Sequence, residues 1–127
     1  KPEDVIISFE AGSLPAFHTL ASNFLLLDHH HCDAPMDTLP NRAFVHSGTS
    51  SGVCDDNIPD VLAGYPQTTL YEKLLDKGVS TGFYFEDVPD ALLFTGLRNL
   101  SLIGNYHFMD DFYKSAASGD LPSVSFL

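Results

Sequence analysis

Residues 79–85, Val-Ser-Thr-Gly-Phe-Tyr-Phe, constrain this chain most. β-branched and aromatic side chains fit a pleated surface, so the run reads as a strand. Just before it, Leu70, Leu74 and Leu75 lie on a helix that Thr68 or Thr69 caps and Gly78 closes. After it, residues 87–99 read as turn and helix, with Ala91, Leu92, Leu93 and Leu97 apolar. Residues 109–117 give another helix, ended by Gly119, and residues 121–127 a short apolar strand. Alternating strands and helices make a layered α/β sheet. In such folds ligands bind at the carboxyl ends of the strands.

The first third of the chain carries a different signal. Ser13 reads as a helix cap with Pro15 in the first turn, and Leu14, Phe17, Leu20, Ala21, Phe24 and Leu25 recur at helical spacing. His18 falls on the other face, in solvent. A second helix starts at Thr38, with Pro40 in its first turn, where the missing N–H costs nothing. Free N–H groups and the positive dipole end of a helix favour phosphate and other anions. Thr38 therefore reads two ways: as a plain N-cap, or as a nucleophile that attacks phosphorus. Arg42 lies one turn on, on the same face, where it would clamp a phosphate oxygen or pair with a carboxylate. Asn41 is a second candidate for the same contact. Asp37 is a competing cap. His46 lies about 12 Å along the helix from Thr38, too far to act as its base, and reads as structural.

Residues 48–59 are rich in Ser, Gly, Asp and Asn and read as loop. Asp55, Asp56 and Asp60 lie in or beside it without EF-hand spacing, so a solvated acidic loop is expected. In His29-His30-His31, neighbouring side chains point to opposite faces of an extended chain, and surface histidines are expected. Asp110-Asp111 is assigned to capping. Cys32 and Cys54 bracket the Thr38 segment; a disulfide and two free thiols both stand. No Gly-rich phosphate loop is present.

The chain has 127 residues and a net charge of −11, with 6 Lys and Arg. That length suits one small domain, and 44% hydrophobic content suffices for a core. An acidic surface repels nucleic acid and anionic headgroups. Nucleic acid is thus not an expected partner, and peripheral membrane contact would need apolar groups or a metal. No run reaches the roughly 20 apolar residues of a membrane span.

Thr38-x-Pro40-Asn41-Arg42 followed by Phe44-Val45-His46-Ser47-Gly48-Thr49-Ser50-x-Gly52 resembles the nucleophile segment of the phosphoesterase family, the non-specific phospholipases C and related acid phosphatases of the alkaline phosphatase superfamily. The likeness continues through Ser13-Leu14-Pro15, Leu20 to Phe24, Asp28, Gly64 to Tyr71, Gly78 to Pro89 and Gly119 to Phe126, in the family's order. The family's N-terminal Glu-Asn motif and its downstream acidic-histidine motifs are not found. His29 to His31 replace an aromatic pair often seen after Asp28. The resemblance implies that residues 1–127 are an internal piece of an α/β/α sandwich of the alkaline phosphatase type. It implies metal-dependent phosphoric ester hydrolysis, with Thr38 as nucleophile and as ligand to a divalent metal ion, and Asn41 and Arg42 on the substrate. Phospholipid headgroup esters are the expected substrate, and small phosphomonoesters, as for an acid phosphatase, the alternative. A secreted or periplasmic parent is expected. A chain that does no chemistry alone, or needs other pieces of the same protein, is the remaining reading.

Overall fold

The central strand β1, Thr81–Phe85, buries both of its faces. In the computed structural model, which describes residues 8–127, β1 lies between β2, Tyr106–Phe108, and β3, Val124–Phe126. Both pairings are parallel. Phe83 sits opposite Tyr106 on one side and Phe126 on the other, and Tyr84 sits opposite His107.

Alternate side chains of a strand point to opposite faces, and here each face meets helices. Among the described residues five α-helices form: α1, Pro15–Asn23; α2, Thr38–Ser47; α3, Ile58–Ala63; α4, Leu70–Asp76; and α5, Met109–Ser118. On one face Phe83 stacks on Tyr106 at 5.0 Å and meets Tyr71 of α4 edge-on at 5.0 Å. On the other, Tyr84 stacks on His107 at 5.3 Å and meets Phe112 of α5 at 5.2 Å. Helix, sheet and helix layers follow, as the α/β reading requires.

The core joins Ala43, Tyr65, Tyr71, Phe83, Ala91, Phe94 and Leu97. His46 of α2 is buried beside it, with its Nδ1 3.0 Å from the Tyr71 hydroxyl. Phe126 and Phe94 meet the imidazole edge-on at 4.7 and 5.6 Å. Thr69 caps α4 in a full capping box with Glu72. Gly48 ends α2 at φ +74°, where a side chain would be strained.

Several expectations are corrected. Residues 87–99 hold no α-helix; short 3₁₀ turns run over Asp90–Leu93, Thr95–Leu97 and Leu100–Asn105. Phe94 is extended and bridges to Tyr65, with the Tyr65 N–H donating to Leu93 O at 2.7 Å and the Thr95 N–H donating to Tyr65 O at 2.9 Å. That bridge takes the peptide groups a helix would need. Helix α3, capped by the Asn57 side chain on the Asp60 N–H, and strand β2 were not foreseen.

Residues through His31 separate from residues Cys32–Leu127 as two units. In the first, Ser13 belongs to the 3₁₀ turn Ala11–Ser13 and does not cap α1, which opens directly on Pro15. Phe17, Leu20, Phe24 and Leu25 are exposed.

Arg98 ties the middle of the second unit together. Its guanidinium donates to Val61 O at 3.1 Å and Leu62 O at 2.9 Å, at the open end of α3, and its Nε to Leu92 O at 2.7 Å. Gly64 makes this possible: a Cβ there would stand 2.6 Å from Arg98 Nη2. Arg98→Ala should cost about 1.5 kcal/mol, the low end for charged hydrogen bonds because the site is exposed. Thermal denaturation should show this as a drop of roughly 4–8 °C in Tm.

Burial holds the His46 imidazole below its ordinary pKa; the Asp90 charge raises it and the Arg42 charge lowers it further. Burial, then Asp90, pushes the Tyr71 phenol up to about 12. The unfolded chain takes a proton on His46 near its ordinary value of about 6.5, the folded chain only at lower pH. The unfolded state thus binds more protons in that window, so stability is fully present above about 6.5 and falls as pH drops below it. Urea unfolding midpoints at pH about 7.5 and about 5.5 should differ less for His46→Gln than for the unaltered chain.

Candidate functional site

The amino end of α2 is built by two loops. Thr38 occupies the first helical position and is exposed, with Asp37 in extended conformation before it as the N-cap residue. The Asp37 side chain does not cap the helix. Its Oδ2 accepts from the Asp56 N–H at 3.3 Å, while Asp56 Oδ1 accepts from the Leu39 N–H at 2.8 Å. The Asp37 N–H donates to Cys54 O at 3.4 Å. Asp56, from the loop before α3, thus supplies the cap that the sequence offered to Thr38 or Asp37. Pro40 has no N–H, and the Asn41 N–H is turned back to Asp37 O at 3.4 Å. Of the first three helical positions, only Thr38 keeps an N–H that neither Asp56 nor a proline ring removes.

Asn41 is half-buried, and its amide faces the loop before the helix. Nδ2 donates to Ala34 O at 3.1 Å, Met36 O at 3.0 Å and Asp37 O at 3.1 Å. Oδ1 accepts from the Ala34 N–H at 3.3 Å. Both amide hydrogens are engaged.

Arg42 pairs through Nη1 with Asp90 Oδ2, while half of its side chain stays exposed. Asp90 opens the first 3₁₀ turn after β1. Arg42, Glu86, Asp87 and Asp90 line a cavity of about 500 Å³ at the carboxyl ends of β1 and β3, floored by Phe83 and Phe126. It lies where an open parallel sheet presents its ligand crevice. Thr38 is outside its wall. The structure thus puts Arg42 at the cavity, Asn41 on the loop, and Thr38 one turn before both.

The remaining candidates are occupied or isolated. Asp60 accepts from Asn57 Nδ2 at 2.6 Å, and Asp55 also binds that amide. Asp110 and Asp111 sit in the first turn of α5, whose cap residue is Phe108; Asp111 pairs with Lys114 at 3.0 Å. They add charge at the helix start and do not cap it. His29, His30 and His31 are exposed. Cys32 and Cys54 are free, exposed thiols. Among the described residues, no three His, Cys, Asp or Glu side chains gather closely enough to hold a metal ion. The residues present therefore do not make a metal centre by themselves, and Thr38 offers at most one oxygen to such a centre.

Asp56 and Asp90 are the residues of the candidate site that sequence reasoning missed. Asp56 was visible only as one acid in a polar loop. Asp90 stands 48 positions from Arg42, and no local pattern links them.

The phosphoesterase family matches residues 1–127. Non-specific phospholipase C6 of Arabidopsis thaliana is 36% identical over 124 residues, covering 97% of this chain and 24% of the relative. Non-specific phospholipase C4 of the same plant is 34% identical over 120 residues, covering 94% and 22%. Non-specific phospholipase C1 is 34% identical over 125 residues, covering 97% and 23%. The chain thus spans about a quarter of the length of these relatives. With its whole length inside that match, the chain belongs to the phosphoesterase family.

Proposed function

We propose that this chain carries the nucleophile of a phospholipase C-type hydrolase acting on phospholipid headgroup esters. One observation carries the reading. The exposed Thr38 stands at the amino end of α2, one turn from a guanidinium on the cavity at the strand ends. The names of the relatives support the substrate class.

The chemistry follows from the hydroxyl. Thr38 Oγ1 forms a bond to phosphorus, the bond from phosphorus to the diacylglycerol oxygen breaks, and the threonine proton ends on that oxygen. Water then attacks the phosphoryl-threonine. The phosphorylated headgroup leaves, and Oγ1 regains a proton. Arg42, fixed by Asp90 yet half exposed, offers its remaining N–H donors to a phosphoryl oxygen. A divalent metal ion enters only through the family likeness; these residues do not assemble its site, and no step here depends on it. Among the described residues no helix is long and apolar enough to cross a membrane.

Thr38→Ala in the full-length protein should abolish turnover of short-chain phosphatidylcholine, a loss of at least ~10³-fold for a missing nucleophile. Retention of the rate would remove Thr38 from the mechanism. Arg42→Gln should raise KM and lower kcat/KM by ~10–100-fold, as loss of a charged hydrogen bond of about 1.5–3 kcal/mol requires. Release of phosphocholine, measured against release of inorganic phosphate from p-nitrophenyl phosphate, separates a phospholipase C from a phosphomonoesterase.

A further inference from the structure

Asn41 stands beside Arg42 in the same motif, and its residue type suits a phosphate ligand. Its geometry points elsewhere. The amide nitrogen has two hydrogens, and three loop carbonyls, of Ala34, Met36 and Asp37, lie at 3.0–3.1 Å from it. The amide oxygen accepts from the Ala34 N–H at 3.3 Å. The Asn41 backbone N–H adds a second bond to Asp37 O. No hydrogen on this side chain is left for a phosphoryl oxygen unless the loop is let go.

What the amide holds is the segment that ends at the nucleophile. Ala34 to Asp37 lead directly into Thr38, and the carbonyl of Asp37 belongs to the peptide group whose nitrogen is Thr38's. An anchor on Ala34, Met36 and Asp37 fixes the entry of the chain into α2 and so the direction of the Thr38 side chain. Asp56 holds the same turn from the opposite strand of loop, at the Leu39 N–H. Two side chains from different parts of the sequence thus clamp one peptide on either side of Thr38.

We propose that Asn41 is a positioning residue, one that aims the Thr38 hydroxyl by tying down residues 34–37 and does not bind substrate. This rests on the reading of Thr38 as nucleophile. A nucleophile displaced by about 1 Å loses on the order of 10²-fold in rate, and that loss falls on kcat, because ground-state contacts to the substrate are untouched.

The test uses the full-length protein. Asn41→Ala and Asn41→Asp should each lower kcat by ~10–100-fold with KM within about threefold of the unaltered enzyme. Asn41→Asp keeps the side-chain volume and loses both donors, and it serves alone where the alanine variant does not fold. Asn105→Ala is the control for stability. It breaks a comparable bond, Asn105 Nδ2 to Thr81 O at 2.7 Å, at the opposite end of β1, and should lower Tm with kcat unchanged. A loss confined to KM would make Asn41 a substrate ligand and overturn the proposal. So would a kcat within about twofold of normal in the folded variant, or an equal kcat loss in Asn105→Ala. If Thr38→Ala is dead and the Asn41 variants keep kcat, the positioning role falls and the nucleophile stands. A fully active Thr38→Ala enzyme overturns both.

Discussion

Strand β1 has water on neither side, and the geometry of the site descends from that. Phe83 and Tyr84 point opposite ways, each into an aromatic layer, so a rotation or one-residue slip of the strand would exchange the two layers. With the strand fixed, the loop leaving its carboxyl end is fixed, and Asp90 on that loop meets Arg42 of α2. The same helix is held from below by His46, packed among Tyr71, Phe94 and Phe126. Helix α2 thus joins the core through Pro40, Ala43 and His46, while Thr38 and Arg42 stay exposed on its other side.

The electrostatics at that amino end differ from those of an open anion-binding helix. Two carboxylates, Asp37 and Asp56, flank Thr38, and one of them already takes the Leu39 N–H. Negative charge beside the hydroxyl opposes its ionisation, and a carboxylate on the helix amide competes with phosphate for the same donor. A phosphoryl group approaching Thr38 must displace Asp56 or come in from the Arg42 side. The second route keeps the cap intact and brings the anion to a cation already oriented by Asp90. On the proposed mechanism, a threonine alkoxide would draw on positive charge and on the one helix amide, that of Thr38, which Asp56 leaves open.

The parts of this molecule that sequence reveals are those with local causes. The helix from Leu70 closes at Gly78 because its capping box and its terminating glycine are both within a few residues of it. Within the run at 79–85, Thr81–Phe85 is a strand, because β-branched and aromatic side chains suit a pleated surface. Family likeness located the Thr38 segment for the same reason, since its pattern is contiguous. What escaped has non-local causes. Residues 90–97 carry a helix-like apolar pattern, yet Phe94 is drawn into a bridge with Tyr65 from nearly thirty positions away. The cap on α2 comes from Asp56, and the partner of Arg42 from Asp90, and neither pairing leaves a trace in spacing.

Asn41 and Arg42 are neighbours in sequence yet meet different partners. Successive residues on an α-helix are about 100° apart. Measured from Thr38, position 41 falls about 60° to one side and position 42 about 40° to the other. Thr38 is therefore straddled one turn on, and the two neighbours face different ground. On one side lies the entering loop, where three carbonyls share the two hydrogens of one amide. On the other lies the cavity at the strand ends, walled by acids, where a guanidinium can be held by one carboxylate and still reach a ligand. Exchanging the two residues would leave the cavity without the guanidinium of position 42. Each residue thus meets what its own side offers, loop carbonyls for the amide and the Asp90 carboxylate for the guanidinium.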